Sequence, residues 1–191
     1  MSNKKNENMI TGPTILTMGR MLLSILFTIF VLLPFMWAKI VALVIFIIAS
    51  LTDLIDGKWA RRKKIVTDLG AFLDPLADKM LVNLAFLVLV YLNVIPLPVF
   101  AVILVRDFAV DGMRMMAARS GKTISASYLG KLKTTTQMTA LIIILLNLIT
   151  NIELFTIFGN IALYLALALT IISGADYLIK GYKEVIKPTK K

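Results

Sequence analysis

Apolar residues run along this chain in six stretches, near 15–33, 37–55, 72–93, 97–117, 130–149 and 155–179, separated by short polar or proline-bearing breaks. Each approaches the roughly 20 residues that a helix needs to cross the hydrocarbon of a bilayer. Gly12-Pro13 suits a helix start, because proline is tolerated in the first turn. Pro34 closes the first break, and Pro96 with Pro98 open the fourth stretch. No repeat, low-complexity tract or dividing linker interrupts the pattern, and the polar residues 1–8 lack the cleavage signature of a secretory peptide. The pattern predicts an all-α integral membrane protein: a six-transmembrane-helix bundle over 11–180, with a polar tail at 1–10 and a basic tail at 181–191.

Composition strengthens that reading. At 191 residues, 59% hydrophobic and a mean hydropathy of +0.86, the chain is too apolar for a soluble domain. The net charge of +10 raises the question of nucleic acid, and its distribution answers it. Basic residues gather at Lys4 and Lys5, over 58–64, from Arg119 to Lys133, and from Lys180 onward. The breaks near 33–36, 93–98 and 150–153 carry none, and Lys39 alone lies toward that side. This is the positive-inside pattern of a multi-pass cell-membrane protein with both termini cytoplasmic. The charge therefore speaks of orientation and of anionic membrane lipids, not of nucleic acid.

Cysteine and histidine are both absent, which excludes disulfides, thiolate nucleophiles and the usual zinc ligand and neutral-pH base. Acid–base or metal chemistry falls to Asp, Glu, Lys or Tyr. Ionisable residues inside apolar segments are costly, at about 2.5–3.5 kcal/mol each on insertion scales, so they usually face a cavity and serve a function. Arg20, Asp53, Asp56, Asp74, Asp78, Lys79, Arg106, Asp107, Asp111, Arg114 and Asp176 are of this kind. The topology puts nearly all of them in the cytoplasmic half, where a polar cavity open to the inner leaflet would collect them.

Four of these acids form a spaced pattern: Asp53-Leu-Thr-Asp56-Gly57-Lys-Trp-Ala60-Arg61, eight residues, then Gly70-Ala-Phe-Leu-Asp74-Pro-Leu-Ala-Asp78. Asp53 and Asp56 are i,i+3 and Asp74 and Asp78 are i,i+4, so each pair shares one face of its helix. Four carboxylates in a partly dehydrated site repel one another unless a cation joins them. An all-oxygen set selects hard divalent ions such as magnesium, manganese or calcium. The run reads as a metal site built from two helix ends.

The run resembles the signature of the CDP-alcohol phosphotransferases, integral membrane enzymes of phospholipid synthesis, and matches it at Asp53, Asp56, Gly57, Ala60, Arg61, Gly70, Asp74 and Asp78. The resemblance extends over roughly 11–180. It implies two Mg2+ or Mn2+ ions held by Asp53, Asp56, Asp74 and Asp78, a homodimer, and attack by an alcohol on the β-phosphorus of a CDP-linked lipid with CMP leaving. Asp78 is then the candidate general base for the acceptor hydroxyl and also a candidate ligand. Gly57, Ala60 and Gly70 let the nucleotide approach the backbone or let helices pack closely, and both uses stand. Arg61 is expected at the CDP phosphates. Thr17 and Arg20 lie on one face of the first segment and fit the nucleotide side, although Thr14 stands where related enzymes carry Asn. Back-bonding hydroxyls and a snorkelling arginine are the plain alternative.

A second block, Val105-Arg106-Asp107 with Gly112-Met113-Arg114, then Gly130-Lys131-Leu-Lys133-Thr134-Thr135 and Gln137, is similar to the branch of that family that uses sn-glycerol 3-phosphate. That branch commonly has Arg-Glu where Arg106-Asp107 stands and a small residue in place of Asp111. Arg106, Arg114, Lys131 and Lys133 are the expected grip on the acceptor phosphate, with interfacial anchoring as the alternative, stronger for the two lysines. The resemblance thus implies transfer of the phosphatidyl group of CDP-diacylglycerol to sn-glycerol 3-phosphate. The competing readings are a sibling enzyme using inositol phosphate, serine or a phosphatidylglycerol headgroup, and a small cation transporter. The last is disfavoured because the acids gather at one side and form no path across the membrane.

Overall fold

Six α-helices make up the described part of the chain: α1 (Gly12–Leu32), α2 (Met36–Lys63), α3 (Asp68–Tyr91), α4 (Leu97–Arg119), α5 (Tyr128–Thr150) and α6 (Glu153–Gly181). The structure is a computed structural model that describes the backbone of residues 12–63, 68–119 and 127–181, and excludes side chains at 12–14, 16, 53–63, 68–75, 78 and 119. The tail read at 1–10, the tail read at 181–191 apart from Gly181, and the side chain of Thr14 lie outside the described residues. Each apolar stretch of the sequence became one helix. The largest difference in extent is α2, which runs on past the end of its apolar stretch to Lys63. Helical hydrogen bonding does not require apolar side chains, and Lys-Trp-Ala-Arg-Arg-Lys is rich in good helix formers.

The chain divides into two compact units, 1–88 and 89–191. In the first, α1 packs on α2. The buried face of α1 is Thr17, Arg20, Ser24, Phe27 and Val31, a three-and-four spacing, and α2 buries Ala38, Ala42, Phe46 and Ala49. The alanines let the backbones come close, and Phe27 meets Phe46 at 5.5 Å between ring centroids. Trp37 closes the turn, stacked on Phe35 and edge-on to Phe30.

In the second unit α6 packs on both α4 and α5. Its buried face is Gly159, Leu163, Ala166, Thr170, Ser173, Gly174, Tyr177 and Gly181. The face is small and apolar in its first half and polar in its second. α5 runs the other way in composition: Lys133 and Gln137 are buried near its start, Ala140, Leu141, Ile144 and Leu145 after them. The unit therefore has an apolar half and a polar half along its length. Ser127 caps α5, its hydroxyl accepting from the Gly130 N–H at 3.1 Å. The breaks at Asn93 and Asn151 are turned by asparagines at φ 58° and 50°, a left-handed conformation that asparagine tolerates better than most residues. At Asn151 the N–H also closes on the Asn147 carbonyl at 2.8 Å.

The faces turned outward carry large apolar side chains. On α1 these are Ile15, Met18, Leu22, Ile25, Ile29 and Leu32, and α6 shows Ile157, Phe158, Ile161, Leu165 and Ile172 among others. Contiguous apolar surface of this extent belongs against lipid, not water. Among the described residues, α5 and α6 are long and apolar enough to cross a membrane, and shorter apolar runs occupy Thr17–Leu32, Met36–Thr52 and Lys79–Tyr91. The apolar run of α4, a continuous helix, is broken by the charges Arg106, Asp107, Asp111 and Arg114.

Candidate functional site

The first unit carries the aspartate pattern. Asp53, Asp56, Gly57, Ala60 and Arg61 lie on α2, and Gly70, Asp74 and Asp78 on α3, while their side chains are outside the described residues. Because α2 reaches Lys63 and α3 begins at Asp68, the acids sit inside the helices, not at two helix ends as the hydropathy pattern implied. At about 1.5 Å of rise per residue, Asp56 and Asp74 are about 10 and about 9 Å from the helix termini flanking 64–67, and Asp53 and Asp78 both about 15 Å. The pairs are thus matched in depth along their two helices. α3 also runs through Pro75, which has no N–H to give the Ala71 carbonyl one turn earlier. Oxygen donors alone, matched in depth, fit a hard divalent cation.

Thr17 and Arg20 share the buried face of α1, and Arg20 is only 7% exposed. Burial of that degree is not what a lipid-facing, snorkelling arginine shows. The Arg20 carbonyl accepts the Ser24 hydroxyl at 2.8 Å, so this face is polar for more than one turn.

The second unit assembles a polar seam from α4, α5 and α6, buried at Asp107, Lys133 and Tyr177 and exposed at Arg114. Lys133 Nζ donates to both carboxylate oxygens of Asp107, at 2.5 and 2.8 Å, and Arg106 donates to the same carboxylate at 3.1 Å. Lys133 is 4% and Asp107 7% exposed. The other arm of the Arg106 guanidinium donates to the Ser173 hydroxyl at 2.8 Å, and its charge lies 5.8 Å from the Tyr177 ring centre. Arg114 donates to the Tyr177 hydroxyl at 2.8 Å and lies 5.0 Å from the same ring, so two cations lie against one aromatic. The Tyr177 hydroxyl also accepts the Ser127 N–H at 2.6 Å, tying the start of α5 to α6. Toward the apolar half, Gln137 and Thr170 are buried together at 3.4 Å.

Of the four cations expected on an acceptor phosphate, the structure brings Arg106 (half-buried), Lys133 (buried) and Arg114 (exposed, but bonded to Tyr177) to this seam. Lys131 is exposed, because positions two apart on a helix point to nearly opposite sides. Asp176 is drawn to Lys180 at 2.8 Å on the helix surface, whereas its neighbour Tyr177 enters the seam. Ser173, Gly174 and Thr170 are members that the sequence reading did not single out. The signal for them was the three-and-four spacing 170, 173, 174 and 177 on the last helix, which sets four small or polar positions on one face.

Pairs of acids on two helices, and a seam of cations on three others, are groups of the kind that bind a divalent ion and a phosphate respectively. The family model described as CDP-alcohol phosphatidyltransferase matches residues 10–172, and the chain belongs to that family. Among its relatives, the CDP-diacylglycerol–glycerol-3-phosphate 3-phosphatidyltransferase of Bacillus subtilis (strain 168) is 38% identical over 188 residues, covering 92% of this chain and 97% of the relative. The proteins of the same name from Yersinia enterocolitica and Pectobacterium atrosepticum are 40% and 39% identical over 181 residues, with the same coverage.

The ion pair at the heart of the seam has a measurable consequence. Removing one partner of a buried pair typically costs about 3–5 kcal/mol, because the other charge is left uncompensated. Asp107→Asn and Lys133→Met should each lower the thermal midpoint in detergent markedly, and the double variant should lose clearly less than the sum. Additive, small losses would mean that the pair contributes little to the packing of this unit.

Proposed function

We propose that this chain transfers the phosphatidyl group of CDP-diacylglycerol to sn-glycerol 3-phosphate, releasing CMP and forming phosphatidylglycerol phosphate. The observation that carries the reading is the Arg106–Asp107–Lys133 seam with Arg114 and Tyr177, supported by relatives named for this reaction at 38–40% identity over 92% of the chain. Family membership makes the protein a transferase, and serine, which carries no phosphate, would bring no dianion to three cations that gather around one carboxylate.

The substrates divide between the units in this account. In the first, Asp53, Asp56, Asp74 and Asp78 hold divalent metal, which this family generally uses; we assign Mg2+ or Mn2+, two ions. When bound, those ions neutralise the diphosphate and the charge that builds on departing CMP. An antiparallel α2–α3 hairpin would set the depth-matched aspartates side by side. Arg61 donates to the CDP phosphates, Gly57, Ala60 and Gly70 leave room for the nucleotide, and Thr17 and Arg20 line its side. Asp78 takes the proton of the acceptor hydroxyl as that oxygen bonds to the β-phosphorus and the bond to the CMP oxygen breaks. In the second unit, Arg106 and Arg114 bind the acceptor phosphate, and Lys133 balances Asp107 and adds positive charge. Lys131, exposed on α5, serves the anionic lipid surface.

The decisive assay is CMP release by purified protein with CDP-diacylglycerol, a divalent ion and a panel of acceptors. Sn-glycerol 3-phosphate should be used far better than serine or inositol phosphate, chelator should abolish turnover, and Asp56→Asn should reduce it by orders of magnitude. Undiminished activity in chelator, or equal use of serine, would overturn the reading.

We further assign six membrane spans, a cytoplasmic active site and both termini in the cytoplasm, on the strength of the positive-inside distribution. The chain has no cysteine, so single cysteines can be read cleanly. Ile152→Cys should react with an impermeant thiol reagent on intact cells and Lys180→Cys should not; the reverse pattern would invert the topology.

A further inference from the structure

We infer that Gly174 is a positioning residue for the acceptor: its missing side chain is the seat that holds the Arg106 guanidinium in place. The inference deepens the acceptor reading above and rests on it. A methyl group at Gly174 would stand 2.7 Å from Arg106 Cγ and 3.3 Å from its Nε. Real Cβ atoms do not approach a neighbour that closely, and Cγ is near the root of the side chain, where a bend displaces everything beyond it. The stem must move if Gly174 gains any side chain at all.

The tip of Arg106 makes that position exacting. One terminal nitrogen is committed to Asp107 at 3.1 Å and the other to Ser173 at 2.8 Å, with the Tyr177 ring 5.8 Å from the charge. The buried Nε has no hydrogen-bond partner among the described residues. A side chain free to choose its rotamer would satisfy that donor, so the contacts at the tip and the space at Gly174 together dictate where the guanidinium lies. Ser173 and Gly174 act as a unit of two adjacent α6 positions, the first holding the tip and the second clearing the stem. Arginine has five N–H donors, and two are engaged in these bonds, leaving others for a phosphate monoester. Glycine within a helix is otherwise unfavourable relative to alanine. The clearance gives it a reason at this position.

Gly174→Ala should therefore raise the KM for sn-glycerol 3-phosphate about ten- to a hundredfold, the size of a lost charge-assisted hydrogen bond, with the KM for CDP-diacylglycerol unchanged. In an Arg106→Ala background there is no Cγ to displace, so Gly174→Ala should have no further effect. Gly159→Ala is the control on the same helix: its methyl would meet Ile144 Cγ1 at 3.0 Å, away from the cations, and should move neither KM. An unchanged acceptor KM in Gly174→Ala, or the same increase with and without Arg106, overturns the inference and leaves the acceptor reading standing. An Arg106→Ala variant with wild-type acceptor KM removes the acceptor reading and the inference with it. Should Gly174→Ala not accumulate, Ser173→Ala releases the tip without crowding the stem, and an unchanged acceptor KM in that variant also overturns the proposal.

Discussion

One carboxylate, that of Asp107, binds two cations within a largely apolar three-helix unit, and the arrangement of that unit follows from it. Lys133 comes from α5 and Arg106 from α4, so the carboxylate ties two helices at a depth where an unpaired charge would be costly. Arg106 then reaches α6 through Ser173, and Arg114 reaches it through Tyr177. Every helix of the unit thus contributes to one polar half, while Leu141, Ile144 and Leu163 fill the other. The packing of α6 on both neighbours places its small residues where the cations need room. A seam with more positive than negative groups among these residues is suited to an anion that arrives with two negative charges.

Much of the fold could be read from hydropathy, since each apolar stretch corresponds to one helix. What hydropathy missed was where helices end. It detects the loss of apolar side chains, and α2 keeps its backbone hydrogen bonds through Asp53, Asp56 and Arg61 to Lys63. The aspartates consequently lie in helix interiors and not at helix ends, so their placement follows from helical register. Their spacing and the family resemblance were visible at once, because both depend on short-range order in sequence.

The acceptor seam was legible only in part. Arg106 and Asp107 stood out as charges in an apolar stretch, whereas Lys133 looked as fit for interfacial anchoring as for the acceptor. Its partner is 26 residues away, and no local spacing announces that contact. Lys131 and Lys133 are two residues apart and looked equivalent, but a helix sends them to different environments. Nothing local to Tyr177 in the sequence marks its part in the seam, where its hydroxyl accepts from both Arg114 and the Ser127 N–H. Gly174 carries no chemistry of its own, and only its neighbour's position gives it meaning.

The central claim is that the acceptor phosphate is held by the cations of the second unit, independently of the metal aspartates of the first. Equilibrium dialysis of purified protein against labelled sn-glycerol 3-phosphate tests it without turnover. Binding should persist in chelator and in Asp74→Asn, and should fall about ten- to a hundredfold in Arg114→Ala, as expected for loss of a charge-assisted contact. Binding that vanishes in Asp74→Asn and survives in Arg114→Ala would contradict the account.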